Sequence, residues 1–179
     1  MKRLMICALA AVLLAGCGKR EAKSARPEHT ELEITVEVVS EQLPAALYIG
    51  DGYSIYIPEE GWEHEQETEG HITEDSWEST VNDEVELRVL HYGVYPDASL
   101  IETKSHFARE CGYVFTDLLG GDLGDPLTGI DEDGDWLGFM AAEGQGGETY
   151  VVAWEYPAGT EEGFGARLPQ IANTFEVTK

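Results

Sequence analysis

Glu31-Leu32-Glu33-Ile34-Thr35-Val36-Glu37-Val38-Val39 carries an apolar side chain at every second position. Leu32, Ile34, Val36 and Val38 share one face, and Glu31, Glu33, Thr35 and Glu37 the other, which is the signature of a strand buried on one side. Downstream, Ser40 to Pro44 reads as a turn into a second short strand, Ala45 to Ile49. Gly50-Asp51-Gly52 is a tight turn into Tyr53-Ser54-Ile55-Tyr56-Ile57, which Pro58 ends. Trp62 to Ser79 alternates more weakly and is rich in acids, so an exposed hairpin turning near Thr68-Glu69-Gly70 is expected. After a turn at Val81-Asn82-Asp83, Glu84 to Tyr92 is a strand with Val85, Leu87 and Val89 facing inward.

The period then changes. Ser99, with Glu102 three residues on, fits a capping box. Leu100, Lys104, Phe107 and Cys111 recur at helical spacing, and Gly112 stands where a left-handed cap belongs. Tyr113 to Leu119 reads as a strand and Gly120 to Pro126 as a loop. A meander follows: Leu127 to Ile130, Trp136 to Ala142, then Thr149 to Tyr156 after the Gly144-Gln145-Gly146-Gly147 turn. Phe164, Leu168, Ile171 and Phe175 mark an amphipathic helix over Thr160 to Phe175, kinked by Pro169. Strands, helix, strands and helix without β-α-β alternation predict an α+β domain: an antiparallel sheet with two packed helices.

The run Tyr53 to Pro58, then Gly61-Trp62, a central helix, a meander and a closing helix ending Ile171-Ala172-Asn173-Thr174-Phe175 is similar to the PsbP-like α/β/α sandwich. Members of that group act mainly as binding or assembly factors. The resemblance therefore implies a non-catalytic role and carries over no functional residue.

At the N-terminus, Lys2 and Arg3 precede an apolar run, Leu4 to Ala15. Twelve helical residues reach about 18 Å, short of a hydrocarbon core of about 30 Å, so the run reads as an export signal and not a membrane span. It ends in Leu14-Ala15-Gly16-Cys17, which resembles the lipobox of bacterial lipoproteins. That resemblance implies a diacylglyceryl group on the Cys17 thiol and cleavage before it. Two acyl chains anchor a protein stably where one does not. The expected organisation is a signal peptide over 1–16, a lipidated cysteine and basic linker over 17–27, and one acidic domain over 28–179. Lys19, Arg20, Lys23 and Arg26 give the linker a sign opposite to the domain's. Each is worth up to about 1 kcal/mol beside anionic headgroups.

The net charge is −24, and loss of Lys2 and Arg3 leaves nine basic against 35 acidic side chains, or −26. Such a surface repels nucleic acid, whose affinity rests on neutralised phosphates. It favours a basic protein or peptide, or divalent cations. Cys111 is the one cysteine outside the N-terminal segment, so no internal disulfide is expected.

Several constellations carry two readings. Asp131-Glu132-Asp133-Gly134-Asp135 is either a turn or a weak cation site formed by Asp131, Asp133 and Asp135, helped by Asp122 and Asp125. Trp136 and Ala142 stand where a helix-loop-helix calcium loop needs glycine and glutamate. His64 and His71, on a hairpin with Glu63, Glu65, Glu67 and Glu69, are zinc-ligand types only if they meet in space. His91 lies in phase with the buried face of its strand. Cys111 is a buried structural thiol, or a nucleophile if His106 or Arg109 lowers its pKa. Trp62, Trp77, Trp136 and Trp154 either fill the core or line a binding face. No nucleophile elbow, zinc-protease helix motif or phosphate loop occurs. The functional expectation is thus a membrane-anchored, non-catalytic binding or assembly module on the extracytoplasmic face, without a cofactor. A divalent-cation module is the alternative, and an enzyme without an identifiable catalytic set the third.

Overall fold

The computed structural model describes residues 25–94, 100–111, 114–115 and 126–178. The signal, Cys17, Ser99, Gly112, Asp122 and Asp125 lie outside them. In chain order the strands are β1 (His29–Val36), β2 (Val39–Ile49), β3 (Tyr53–Pro58), β4 (Trp62–Glu69), β5 (Ile72–Ser79) and β6 (Asn82–Val94). Helix α1 (Leu100–Glu110) follows, then β7 (Val114–Phe115), β8 (Leu127–Ile130), β9 (Trp136–Glu143) and β10 (Glu148–Tyr156). A π-helical turn (Glu161–Gly165), α2 (Ala166–Ala172) and β11 (Glu176–Val177) complete the described chain.

The strands form two antiparallel sheets, a four-stranded one in the order β1-β2-β3-β11 and a seven-stranded one in the order β4-β5-β6-β10-β9-β8-β7. This β-rich fold overturns the α+β expectation of an antiparallel sheet with two packed helices. Alternation marks a strand without naming its sheet, and here successive strands are divided between two sheets. The Thr160 to Phe175 run is also less helical than its spacing implies. Its α segment has seven residues, and Pro169 inside it supplies no amide donor. Phe164 and Phe175 still pack on the core, from the π turn and from beyond the helix.

The expected turn at Ser40 to Pro44 is also displaced. β1 and β2 are joined through Glu37-Val38, with Glu37 at a φ of 54°, and Val38 is 93% exposed rather than inward. Pro44 turns its missing N–H away from β1, toward the end of β3, where the Glu59 N–H still donates to the Pro44 carbonyl at 3.0 Å and only the reciprocal bond is lost.

Around β6, β10 and β9 the seven-stranded sheet is covered on both faces. On one, Trp77, Val85, Leu87, Val89, Val152 and Trp154 pack against Ile34, Tyr53 and Ile55 of the smaller sheet and Leu168 and Ile171 of α2. On the other, Leu90, Leu137, Phe139, Val151 and Ala153 pack against Phe107 and Ala108 of α1. This two-sided burial explains why Tyr150 to Trp154 is almost continuously apolar instead of alternating. Trp154 lies directly across from Gly138, where a Cβ would sit 2.2 Å from the indole. Only glycine leaves room for that ring.

Candidate functional site

Two polar features stand out from this frame, one between the sheets and one on the outer face of the larger sheet. Between the sheets lies Asp75 of β5, 2% exposed. Tyr48 donates to its Oδ1 at 2.5 Å and Tyr53 to its Oδ2 at 2.5 Å, both from the smaller sheet. From β4, Gln66 Nε2 donates to Oδ1 at 2.8 Å, and His64 Nε2 lies 3.0 Å from the same oxygen. The His64 ring stacks on Trp77 and meets Tyr48 with centroids 4.8 Å apart. A buried carboxylate is costly unless its lone pairs are filled, and here four side chains from three further strands fill them. Burial, and then donation to Asp75, raises both the Tyr48 and Tyr53 hydroxyls far above the ordinary tyrosine value. Hydroxyls so held remain donors at neutral pH. The cluster is chemically suited to pinning the two sheets together.

Nearby, the His91 ring stacks on Tyr150 at 4.6 Å, with Nδ1 3.9 Å from Asp51. Its Nε2 is buried and has no hydrogen-bond partner among the described residues. Burial, then Glu148 and Asp51, pushes Tyr150 up to about 12.

The second feature is a row of glutamates. In the β4–β5–β6–β10 ladder Glu63 lies opposite Glu78, Glu78 opposite Glu86, and Glu86 opposite Glu155. Directly opposed side chains have Cβ atoms about 5 Å apart, and like charges there are destabilising. Arg88, two residues beyond Glu86 on the same face, offsets part of this. Its guanidinium lies 3.2 Å from Glu155, 3.3 Å from Glu86 and 3.9 Å from Glu74. Burial raises the Glu86 carboxyl above its ordinary value; Arg88 opposes this, and Glu74, Glu155 and Glu78 add to it. Glu65 and Glu67 extend the same face along β4, and both are exposed. An open depression beside the row is lined by Glu63, Glu78, Asn82 and Asp83. Carboxylates aligned on one sheet face, with one arginine among them, produce a local negative potential.

Asp131 Oδ1 accepts the backbone N–H groups of Asp133 and Asp135, both at 2.9 Å, and Asp135 Oδ1 accepts that of Ala158 at 3.0 Å. Asp131 thus organises the turn between β8 and β9, and Asp135 ties that turn to the segment after β10. Among the described residues no group of three His, Cys, Asp or Glu side chains is arranged to hold a metal ion. His64 turns inward to Asp75, whereas His71 sits in the β4–β5 turn, about 18 Å further along at strand rise. The hairpin does not bring them together. Cys111 is half-buried against the α1 core, its Sγ 3.5 Å from the Ala108 carbonyl, while His106 and Arg109 are exposed. Trp77 and Trp154 are core, and Trp62 and Trp136 pack against it.

Sequence reasoning missed Asp75. Its only signal is phase: alternation puts it on the same face as Trp77, where an acid is out of place. It also missed Arg26, at the domain end of the linker. Arg26 lies 4.3 Å over the Tyr56 ring and donates to Ser54 Oγ at 3.1 Å. No protein-family model matches the chain, and no curated protein matches it.

Proposed function

We propose that this protein is an extracytoplasmic lipoprotein, anchored through Cys17, whose β-rich domain is a non-catalytic binding or assembly module for a basic protein or peptide. The observation that carries the binding reading is the glutamate row Glu63–Glu78–Glu86–Glu155. Opposed like charges cost stability, and a cationic partner would relieve that repulsion on binding. The anchoring half rests on Lys2, Arg3, the apolar run and Leu14-Ala15-Gly16-Cys17.

Each half has its own test. Expressed in a bacterial host, the full chain should partition with membranes and label with radioactive palmitate, and Cys17→Ser should lose the label. Labelling that survives Cys17→Ser would refute the anchor. Against a lysine-rich peptide, affinity should fall with salt and drop about tenfold when Glu63, Glu78 and Glu86 become glutamine together. Salt-independent binding, or none, would refute the partner class.

A further inference from the structure

We infer that the β4 edge is a docking strand for an extended peptide with lysine or arginine at alternate positions. This deepens the proposed function and rests on its basic-partner reading. Among the described residues, β4 bounds the larger sheet on one side and has strand neighbours only in β5. The other edges differ. β7 and β11 have two residues each. On β1, the outward N–H and C=O of Thr35 are both taken by the Gln170 side chain, at 2.9 Å each. β4 runs for eight residues without such a cover among the described residues.

Its phase follows from one hydrogen bond. Thr80 N–H donates to the Gly61 carbonyl at 2.9 Å, one step beyond the Trp62–Ser79 pair. Bonded and non-bonded pairs alternate along an antiparallel ladder. Glu63, Glu65, Glu67 and Glu69 therefore turn their backbone groups toward β5, and His64, Gln66 and Thr68 turn theirs outward. The side chains divide the other way, with His64 and Gln66 on the Asp75 face and the glutamates on the outer face.

An added strand would bond to the backbone of His64, Gln66 and Thr68. Every second side chain would then stand beside Glu63, Glu65, Glu67 or Glu69, about 5 Å away between Cβ atoms. Cationic side chains fit those positions. A second β4 from another copy would set glutamates against glutamates, so the same row discourages self-pairing. Charge selects a basic strand, and the open backbone fixes its register.

The test uses the full chain and a peptide of alternating lysine and threonine as long as β4. A second peptide is N-methylated on the amides that would face β4. Backbone amide exchange is read at His64, Gln66 and Thr68. With the first peptide at a hundred times its Kd, exchange there should slow about a hundredfold. The N-methylated peptide should give no such protection. Paired reversal, Glu65→Lys with Glu67→Lys, should weaken the lysine peptide about tenfold and let a glutamate–threonine peptide bind instead. If both lysine peptides bind equally and β4 exchange is unchanged, the edge assignment falls while the acidic-face reading stands. If neither binds, both fall, and the glutamates serve only to keep edges apart.

Discussion

Replacing Asp75 by alanine removes the acceptor on which side chains of both sheets converge. The Tyr53 hydroxyl suffers most, because the residue is 1% exposed and would stay buried without a partner. An orphaned buried hydroxyl costs about 1–3 kcal/mol, and the lost bonds to a charged acceptor add about 1.5–3 kcal/mol. Tyr48, His64 and Gln66 are only partly buried or exposed and can turn to water, so their losses are smaller. Recovering the solvation cost of the carboxylate offsets part of the sum. The net expectation is about 3–5 kcal/mol, or a Tm lower by about 8–15 °C for a domain of this size. Tyr53→Phe keeps the ring contacts to Tyr150 and Phe175 and loses one donor, so it should cost about 1–2 kcal/mol. In the Asp75→Ala background the same change should stabilise by about 1–3 kcal/mol, since it removes the orphaned hydroxyl. Urea and thermal unfolding of the four proteins, followed by tryptophan fluorescence, give the double-mutant cycle. A coupling below about 0.5 kcal/mol would show that Asp75 does not pin Tyr53, and that sheet packing rests on apolar contact alone.

Gly138→Ala should cost about 1–3 kcal/mol by driving a Cβ into the Trp154 indole. Thermal unfolding checks this, and an unchanged Tm would mean that the two strands do not face each other as described. Glu86→Gln should be stabilising at pH 7 by up to about 1 kcal/mol, since it breaks a run of opposed like charges. The sign with pH follows from linkage: the folded-state pKa is raised, so this group's contribution is full below the unfolded carboxylate value of about 4.3 and is lost as pH rises through the folded one. The advantage of Glu86→Gln should therefore vanish below about pH 4. A gain that persists in acid would point to packing and not charge.

Strand positions were largely legible because one-sided burial writes a period of two, as in Leu32-Ile34-Val36 and Val85-Leu87-Val89. The partition into two sheets was not, since Tyr53 to Ile57 and Glu84 to Tyr92 carry the same pattern and pair with different neighbours. The C-terminal helix was overextended because Phe164 and Phe175 kept helical spacing while lying outside its α segment. Pro44 suggested a turn because its missing donor matters only where a neighbouring strand continues, and sequence does not say where β3 stops. The glutamates of the Trp62 to Ser79 hairpin were visible as composition. Their alignment with Glu86 and Glu155 depends on cross-strand register, which no single segment contains.

Binding of a lysine-rich peptide to two charge-matched variants tests the functional proposal most directly. One variant has Glu63, Glu65 and Glu78 changed to glutamine, all exposed on the outer face of the larger sheet. The other has Glu31, Glu33 and Glu37 so changed, all exposed on the hairpin of the smaller sheet. Both lose the same net charge. If the glutamate face is the binding surface, the first variant binds about tenfold more weakly and the second binds like the parent. Equal loss in both would contradict this and reduce the acidity to a diffuse field that attracts any cation.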